Sequence, residues 1–154
     1  MFREMRREDR KINDDEVKQI LENNTYGILS TMCDDGYPYG VPVSYIYLNN
    51  AIYFHGAAAG QKFDNIVRNN KVSFCVIGQT RTLPDKFSTK YESVIIFGRA
   101  IEIFDNEKDK ILSEIINKYS KDYIEEGKIY IRKASKATRV IKISMEHISG
   151  KSRK

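Results

Sequence analysis

The stretch from Thr25 to Gly56 restricts the fold more than any other part of the chain. It holds three runs of strand-forming residues, TYGILSTMC, PYGVPVSYIYL and AIYFHG, separated only by short turns at Asp34, Asp35 and Gly36 and at Asn49 and Asn50. Connections this short join antiparallel neighbours, because a parallel pair needs a crossover of about a dozen residues or more. The block therefore predicts consecutive antiparallel strands and argues against the folds in which helices alternate with parallel strands. Within the second run, Val41, Val43, Tyr45 and Tyr47 alternate with Pro42, Ser44, Ile46 and Leu48. Large side chains on both faces predict a strand covered on both sides.

Three further runs complete a set of six strands: KVSFCVIG, Glu92 to Phe104, and TRVIKISMEHI. Helices fall between and beside them. Asn13, Asp14 or Asp15 can cap a short helix with Val17, Ile20 and Leu21 on one face. GQKFDNIVRNN predicts a second, with Phe63, Ile66 and Val67 inward. Asp105 or Asn106 caps a third, whose stripe of Ile111, Leu112, Ile115, Ile116 and Tyr119 belongs to the core. Lys121 to Ala137 predicts one or more short helical pieces. The expected architecture is mainly β with helices (α+β): a closed or partly closed antiparallel barrel with α elements outside.

A chain of 154 residues fits a single domain, residues 1–154, that buries roughly 70% of its unfolded surface. Cys33 and Cys75 stand in strand-like runs, in no CxxC or Cys/His cluster, and read as buried free thiols with no metal. MFREMRREDRK has no apolar signal-like segment and no run of 18 apolar residues occurs, so the expectations are no membrane span and a cytoplasmic location. The net charge of +5 draws on basic residues near both ends, but Glu4, Glu8 and Asp9 interleave the first cluster. With no DNA- or RNA-binding motif beside them, they predict no nucleic-acid partner. Gly150 and Lys151 read as part of a frayed basic tail.

Chemistry concentrates in YFHGAAAGQK, Tyr53 to Lys62. A strand ends at His55, Gly56 and three alanines leave side-chain-free backbone, and Gly60 opens a helix whose first turn carries Gln61 and Lys62. Free N–H groups at a helix N-terminus carry partial positive charge, glycine allows close approach and lysine adds a full charge, which together suit an anion. The spacing is neither a Walker A loop nor GxGxxG. Read locally, two alternatives stand for each feature: anion site or tight turn, and functional His55 or a strand-end histidine with satisfied nitrogens.

Across nearly the whole chain, the ordered segments MRREDR, TYGILST, GYPYGVPVSY, IYFHGAAAGQK, KVSFCVIG, YESVIIFGRA and HISGK resemble the pyridoxamine 5'-phosphate oxidase-like FMN-binding split barrels, specifically the nitroimidazole-resistance (Nim) group. The resemblance implies a six-stranded antiparallel split β-barrel of the FMN-binding type, assembled as a homodimer with one FMN in each of two interface clefts. It implies that Val41, Pro42, Val43 and Ser44 border the flavin ring, and that Phe54, His55 and Gly56 face the ribityl chain and ring edge. Gln61 and Lys62 match the phosphate-binding pair, Tyr91, Glu92 and Ser93 come from the partner chain, and Lys151 reaches the cofactor.

The activity implied is flavin-dependent reduction of a small nitroaromatic molecule of the 5-nitroimidazole kind, with His55 as the catalytic residue at the substrate side of the ring. The alternative is a binding module for flavin or haem on the same barrel, a redox sensor or FMN store. The basic and aromatic C-terminal motif of true pyridoxamine phosphate oxidases has no counterpart in GKSRK, so oxidation of vitamin B6 is not expected.

Overall fold

The computed structural model describes residues 1–154. In chain order it contains α1 (Asp14–Asn23), β1 (Tyr26–Met32), β2 (Pro38–Ser44), β3 (Ile46–Leu48), β4 (Ala51–Ala57), α2 (Gln61–Arg68), β5 (Lys71–Leu83), β6 (Ser88–Ile103), α3 (Asp105–Tyr119), α4 (Ile124–Ala134) and β7 (Thr138–Arg153). Short 3-10 turns flank α4 and open the chain at Glu8–Arg10. The strands form one antiparallel sheet in the order β2-β1-β5-β6-β7-β4-β3.

Seven strands stand where six were expected, because the run Pro38–Leu48 breaks at Tyr45 into β2 and β3. These two pieces lie on opposite edges of the sheet. A single residue joins them, so the edges come within roughly 7 Å there and the sheet must roll almost into a barrel. It does not close, since β2 pairs only with β1 and β3 only with β4. Tyr45 is fully buried at this corner. Its hydroxyl donates to the Leu21 carbonyl at 2.6 Å, and its own carbonyl accepts from Lys118 Nζ at 3.1 Å. Burial without a full charge partner pushes the Tyr45 phenol up and the Lys118 amine down from their ordinary pKa values.

Turn chemistry behaves as the sequence requires. Asn49 and Asn50 both take positive φ, 51° and 56°, the mirror-image turn that matches strand twist in a two-residue hairpin. Asn13 caps α1 through a reciprocal pair with Glu16. The third helix differs from expectation: it begins at Asp105, and Phe104 occupies the cap position without a side-chain bond.

The barrel interior is filled by Leu29, Phe54, Phe74, Ile96 and Ile143, with Val17, Ile20 and Leu21 of α1 packed into it. Each such side chain contributes about 1.5–3 kcal/mol on burial. A second cluster joins Tyr53 and Val140 on the outer face of the sheet to Ile111, Leu112 and Ile115 of α3.

Several expectations need correction. On β2 only one face is covered, since Pro38, Gly40, Pro42 and Ser44 are exposed; an edge strand rolled away from the helices has nothing above it. On α2, Val67 is 78% exposed and Asn65 is buried in its stead. The Asn65 amide donates to Thr31 Oγ1 at 3.0 Å, and that bond turns this face toward β1. Cys33 lies just beyond β1, and both cysteines are half-buried free thiols. The C-terminal segment is not frayed: β7 runs to Arg153, Ser93 pairs with Lys151, and Gly150 packs so closely under Ile12 and Val17 that a Cβ there would fall within 2.6 Å of both.

Candidate functional site: the split between two strands

The unclosed seam of the barrel gathers the expected flavin-site residues of β2, β4 and α2. Beyond the last pair of β3 and β4, Ile46 with Tyr53, the strand direction would set Ser44 opposite His55 and Val43 opposite Gly56. Instead β2 and β4 diverge, still near one another but unpaired. One edge of β2 is left with free backbone groups, which Pro42 shortens by one donor. Val41 and Val43 turn inward against the core, and Pro42 and Ser44 face out.

On the opposite lip, Phe54 is fully buried, so only its backbone reaches the seam. His55 alternates to the outer face, opposite Val140 of β7, and is exposed. Partial desolvation between these strands lowers its pKa below the ordinary histidine value. At neutral pH the ring is therefore uncharged, able to donate from one nitrogen and accept at the other.

Gly56 admits no larger residue without movement: a Cβ would sit 2.7 Å from Phe63 Cζ and 3.4 Å from Lys62 Cε. The lysine stem thus runs directly over the glycine. Gly60 has φ 156°, outside the range that L side chains favour, and turns the chain into α2 with no capping side chain. Gln61, the first residue of α2, donates from Nε2 to Cys33 Sγ at 3.2 Å. Lys62 places its ammonium 4.8 Å from the centre of the Phe63 ring and makes no salt bridge. An unpaired lysine, an uncapped helix start and a Gly56–Gly60 turn with no side chain larger than methyl fit a phosphate.

Sequence reasoning missed one member of this neighbourhood. Arg139 pairs with Gly56 across β7 and β4, holds its guanidinium 4.5 Å from the centre of the same Phe63 ring, and forms an ion pair with Glu102. The signal was present: in TRVIKISM, Arg139 shares the alternation of Ile141 and Ile143, the inward face.

Tyr91, Glu92, Ser93 and Lys151 form a separate group. They neighbour one another on β6 and β7, where Tyr91 accepts from Arg10 Nη1 at 3.2 Å and Glu92 accepts from the Gln79 N–H at 3.1 Å. Lys151 lies twelve residues beyond Arg139 on β7, up to roughly 40 Å of strand. Within one chain β1 and β5 stand between this group and β2. Tyr91, Ser93 and Lys151 border a cavity of about 600 Å³ lined also by Arg3, Arg6 and Lys11.

A rolled antiparallel sheet with an open seam is the split-barrel architecture, and solved structures share it. Protein Rv2991 of Mycobacterium tuberculosis, described only as conserved and hypothetical, aligns with a TM-score of 0.83 at 19% identity over 97% of this chain and 90% of its own. A candidate 5-nitroimidazole antibiotic resistance protein of Bacteroides thetaiotaomicron aligns at 0.74 with 23% identity, covering 91% and 84%. The FAD and haem binding protein of Mycobacterium smegmatis aligns at 0.80 with 16% identity, covering 92% and 72%. At these identities the likeness establishes the fold.

The sequence profile of the family described as pyridoxamine 5'-phosphate oxidase matches residues 13–152, and the chain belongs to that family. No curated protein matches it in sequence. No helix is long and apolar enough to cross a membrane, and no cluster of three or more His, Cys, Asp or Glu residues could hold a metal ion.

Proposed function

We propose that this protein binds FMN in the seam between β2 and β4 and serves as a flavin-dependent reductase of small nitroaromatic molecules. The observation that carries the reading is Lys62, a cation without an acidic partner, laid over Gly56 where the turn into α2 carries nothing larger than a methyl group. A phosphate placed there gains charge-assisted contacts from Lys62 and from the first-turn N–H groups of α2. The free edge of β2 at Val41–Ser44 offers backbone groups to the polar rim of an isoalloxazine.

When bound, the flavin supplies the electron transfer. The protein's part is to hold the ring against β2 and to present His55, in its uncharged form at neutral pH, as a hydrogen-bonding group beside it. In a homodimer, Tyr91, Glu92, Ser93 and Lys151 of a second copy complete the cleft. The family membership and the fold shared with flavin-binding and nitroimidazole-resistance proteins support this reading.

The decisive test is whether the purified protein is yellow and releases FMN on heating, followed by anaerobic stopped-flow mixing of the chemically reduced protein with a 5-nitroimidazole. Reoxidation faster with the drug than without it is expected. Protein that cannot be loaded with flavin overturns the cofactor assignment. Flavin that stays reduced in the presence of the drug overturns the reductase assignment and favours a binding module, the second reading, to which the FAD and haem binding neighbour lends support.

A further inference from the structure

We infer that Arg139 is a second phosphate-binding cation of the seam, sharing its guanidinium between Glu102 and the ligand. The inference rests on the cofactor reading above and assigns to that site a residue 77 positions away in sequence from Lys62.

Lys62 and Arg139 approach one aromatic ring, at 4.8 Å and 4.5 Å from its centre, so the two charges lie no more than about 9 Å apart. Phe63 is fully buried in the barrel core. Gly56 neighbours both residues: it pairs with Arg139 across β4 and β7, and the Lys62 stem runs over it. Glu102 balances Arg139 alone, so an anion reaching both cations would supply the partner that Lys62 lacks. A phosphate held by contacts of about 2.8 Å on either side bridges a gap of this size.

In the structure only one charge is balanced. Glu102, cross-strand from Ile141 and on the same sheet face, pairs with the Arg139 guanidinium, and the two side chains are 21% and 27% exposed. Guanidinium carries five donors in a planar fork, and one carboxylate uses at most two of them. The remaining donors are available to a phosphate without breaking the pair. The ion pair also keeps Arg139 from folding over the seam when no ligand is there. A residue that only fastened β6 to β7 would not need to lie over the same ring as the phosphate-seeking lysine.

The test compares FMN with riboflavin, which differ by the phosphate alone, in equilibrium dialysis of wild type, Arg139→Gln, Arg139→Lys and Glu102→Gln, with urea midpoints recorded for each. Arg139→Gln is expected to lower the FMN-to-riboflavin affinity ratio by at least about tenfold, Arg139→Lys to restore part of it, and Glu102→Gln to raise it. An unchanged ratio in Arg139→Gln and Glu102→Gln, whatever happens to the urea midpoints, overturns the inference and leaves Arg139 a strand fastener. Should Arg139→Gln fail to fold, the ratio in Glu102→Gln decides alone. Wild-type protein that binds neither flavin overturns the cofactor reading itself, a different outcome from flavin binding that ignores Arg139.

Discussion

Lys62 and Gly56 act as a unit, and substitutions at the two should fail differently. Removing the ammonium in Lys62→Met leaves the stem over Gly56 and the fold intact. FMN affinity is expected to fall by roughly 10- to 100-fold, the loss of one charge-assisted contact of about 1.5–3 kcal/mol, measured by equilibrium dialysis. Gly56→Ala attacks the packing: its Cβ would stand 2.7 Å from a buried Phe63 that cannot retreat. Overpacking of this kind costs about 1–3 kcal/mol, to be read as a lowered urea midpoint even with no ligand present. A Gly56→Ala protein as stable as wild type would show that Phe63 has room to move.

His55 yields a prediction with a sign. Desolvation favours the neutral ring and sets the folded pKa below the unfolded value near 6.5. Between those values the unfolded chain binds the proton that the folded chain refuses, so this residue's contribution to stability is full above the unfolded pKa and is lost as pH falls toward the folded one. If the ring only donates or accepts a hydrogen bond during turnover, wild-type activity should lose a limb in acid, below the ordinary histidine range, and His55→Asn should lack that limb. A His55-dependent rise in rate through the same acid range would assign the charged ring as a proton donor instead.

At the scale of elements, what the sequence disclosed was local. The hairpins around Asn49 and Asn50 and around Gly36, the Asn13 cap and the buried part of the α3 stripe, Ile111, Leu112 and Ile115, follow from patterns within a few residues; Ile116 is only half-buried and Tyr119, expected in the core, is exposed. The break at Tyr45 was hidden because Pro38–Leu48 reads as one continuous strand; whether it pairs with β1 or β4 depends on partners elsewhere in the chain. Asn65 took the inward position from Val67 for a similar reason. A helix of eight residues has no long stripe to set its rotation, and the Thr31 hydroxyl decided it. Arg139 could not be joined to Lys62 without the β4–β7 register, although its charge on an apolar face marked it as unusual.

The Tyr45 corner is therefore the element on which the seam depends. Tyr45→Phe removes the donor to the Leu21 carbonyl, 2.6 Å away, and leaves that acceptor unsatisfied in the core. A cost of about 1–3 kcal/mol follows, read as a lowered urea midpoint. Because the corner sets the gap between β2 and β4, flavin affinity should fall along with stability. A variant that loses stability but keeps its flavin affinity would separate the corner from the cleft.

For the whole molecule, the chain on its own leaves two things undone, and one partner would resolve both. The outer face of β1, β5 and β6 carries a cross-strand row of Ile28, Cys75 and Ile95, with Ile77 and Phe97 beside it; Ile77, Ile95 and Phe97 are 49%, 41% and 41% exposed. No helix covers this row, while α3 covers the outer face of β4 and β7. The Tyr91–Ser93 group, continuous with the row along β6, is parted from its own β2 by β1 and β5. Two copies related by a twofold axis through this face would bury the apolar row and could carry each Tyr91–Ser93 group to the other's cleft. Flavin affinity and dimerisation should then be linked, so that dissociation of the dimer weakens binding and FMN tightens the dimer. Ile95→Lys, a charge set in the middle of the row, is expected to give a monomer by sedimentation velocity with α1 and the barrel core intact by circular dichroism and urea melt, and with FMN affinity reduced at least tenfold. Wild-type protein that sediments as a monomer at micromolar concentration while holding FMN at full stoichiometry would show that one chain builds the whole site, and Tyr91, Glu92, Ser93 and Lys151 would lose their place in it.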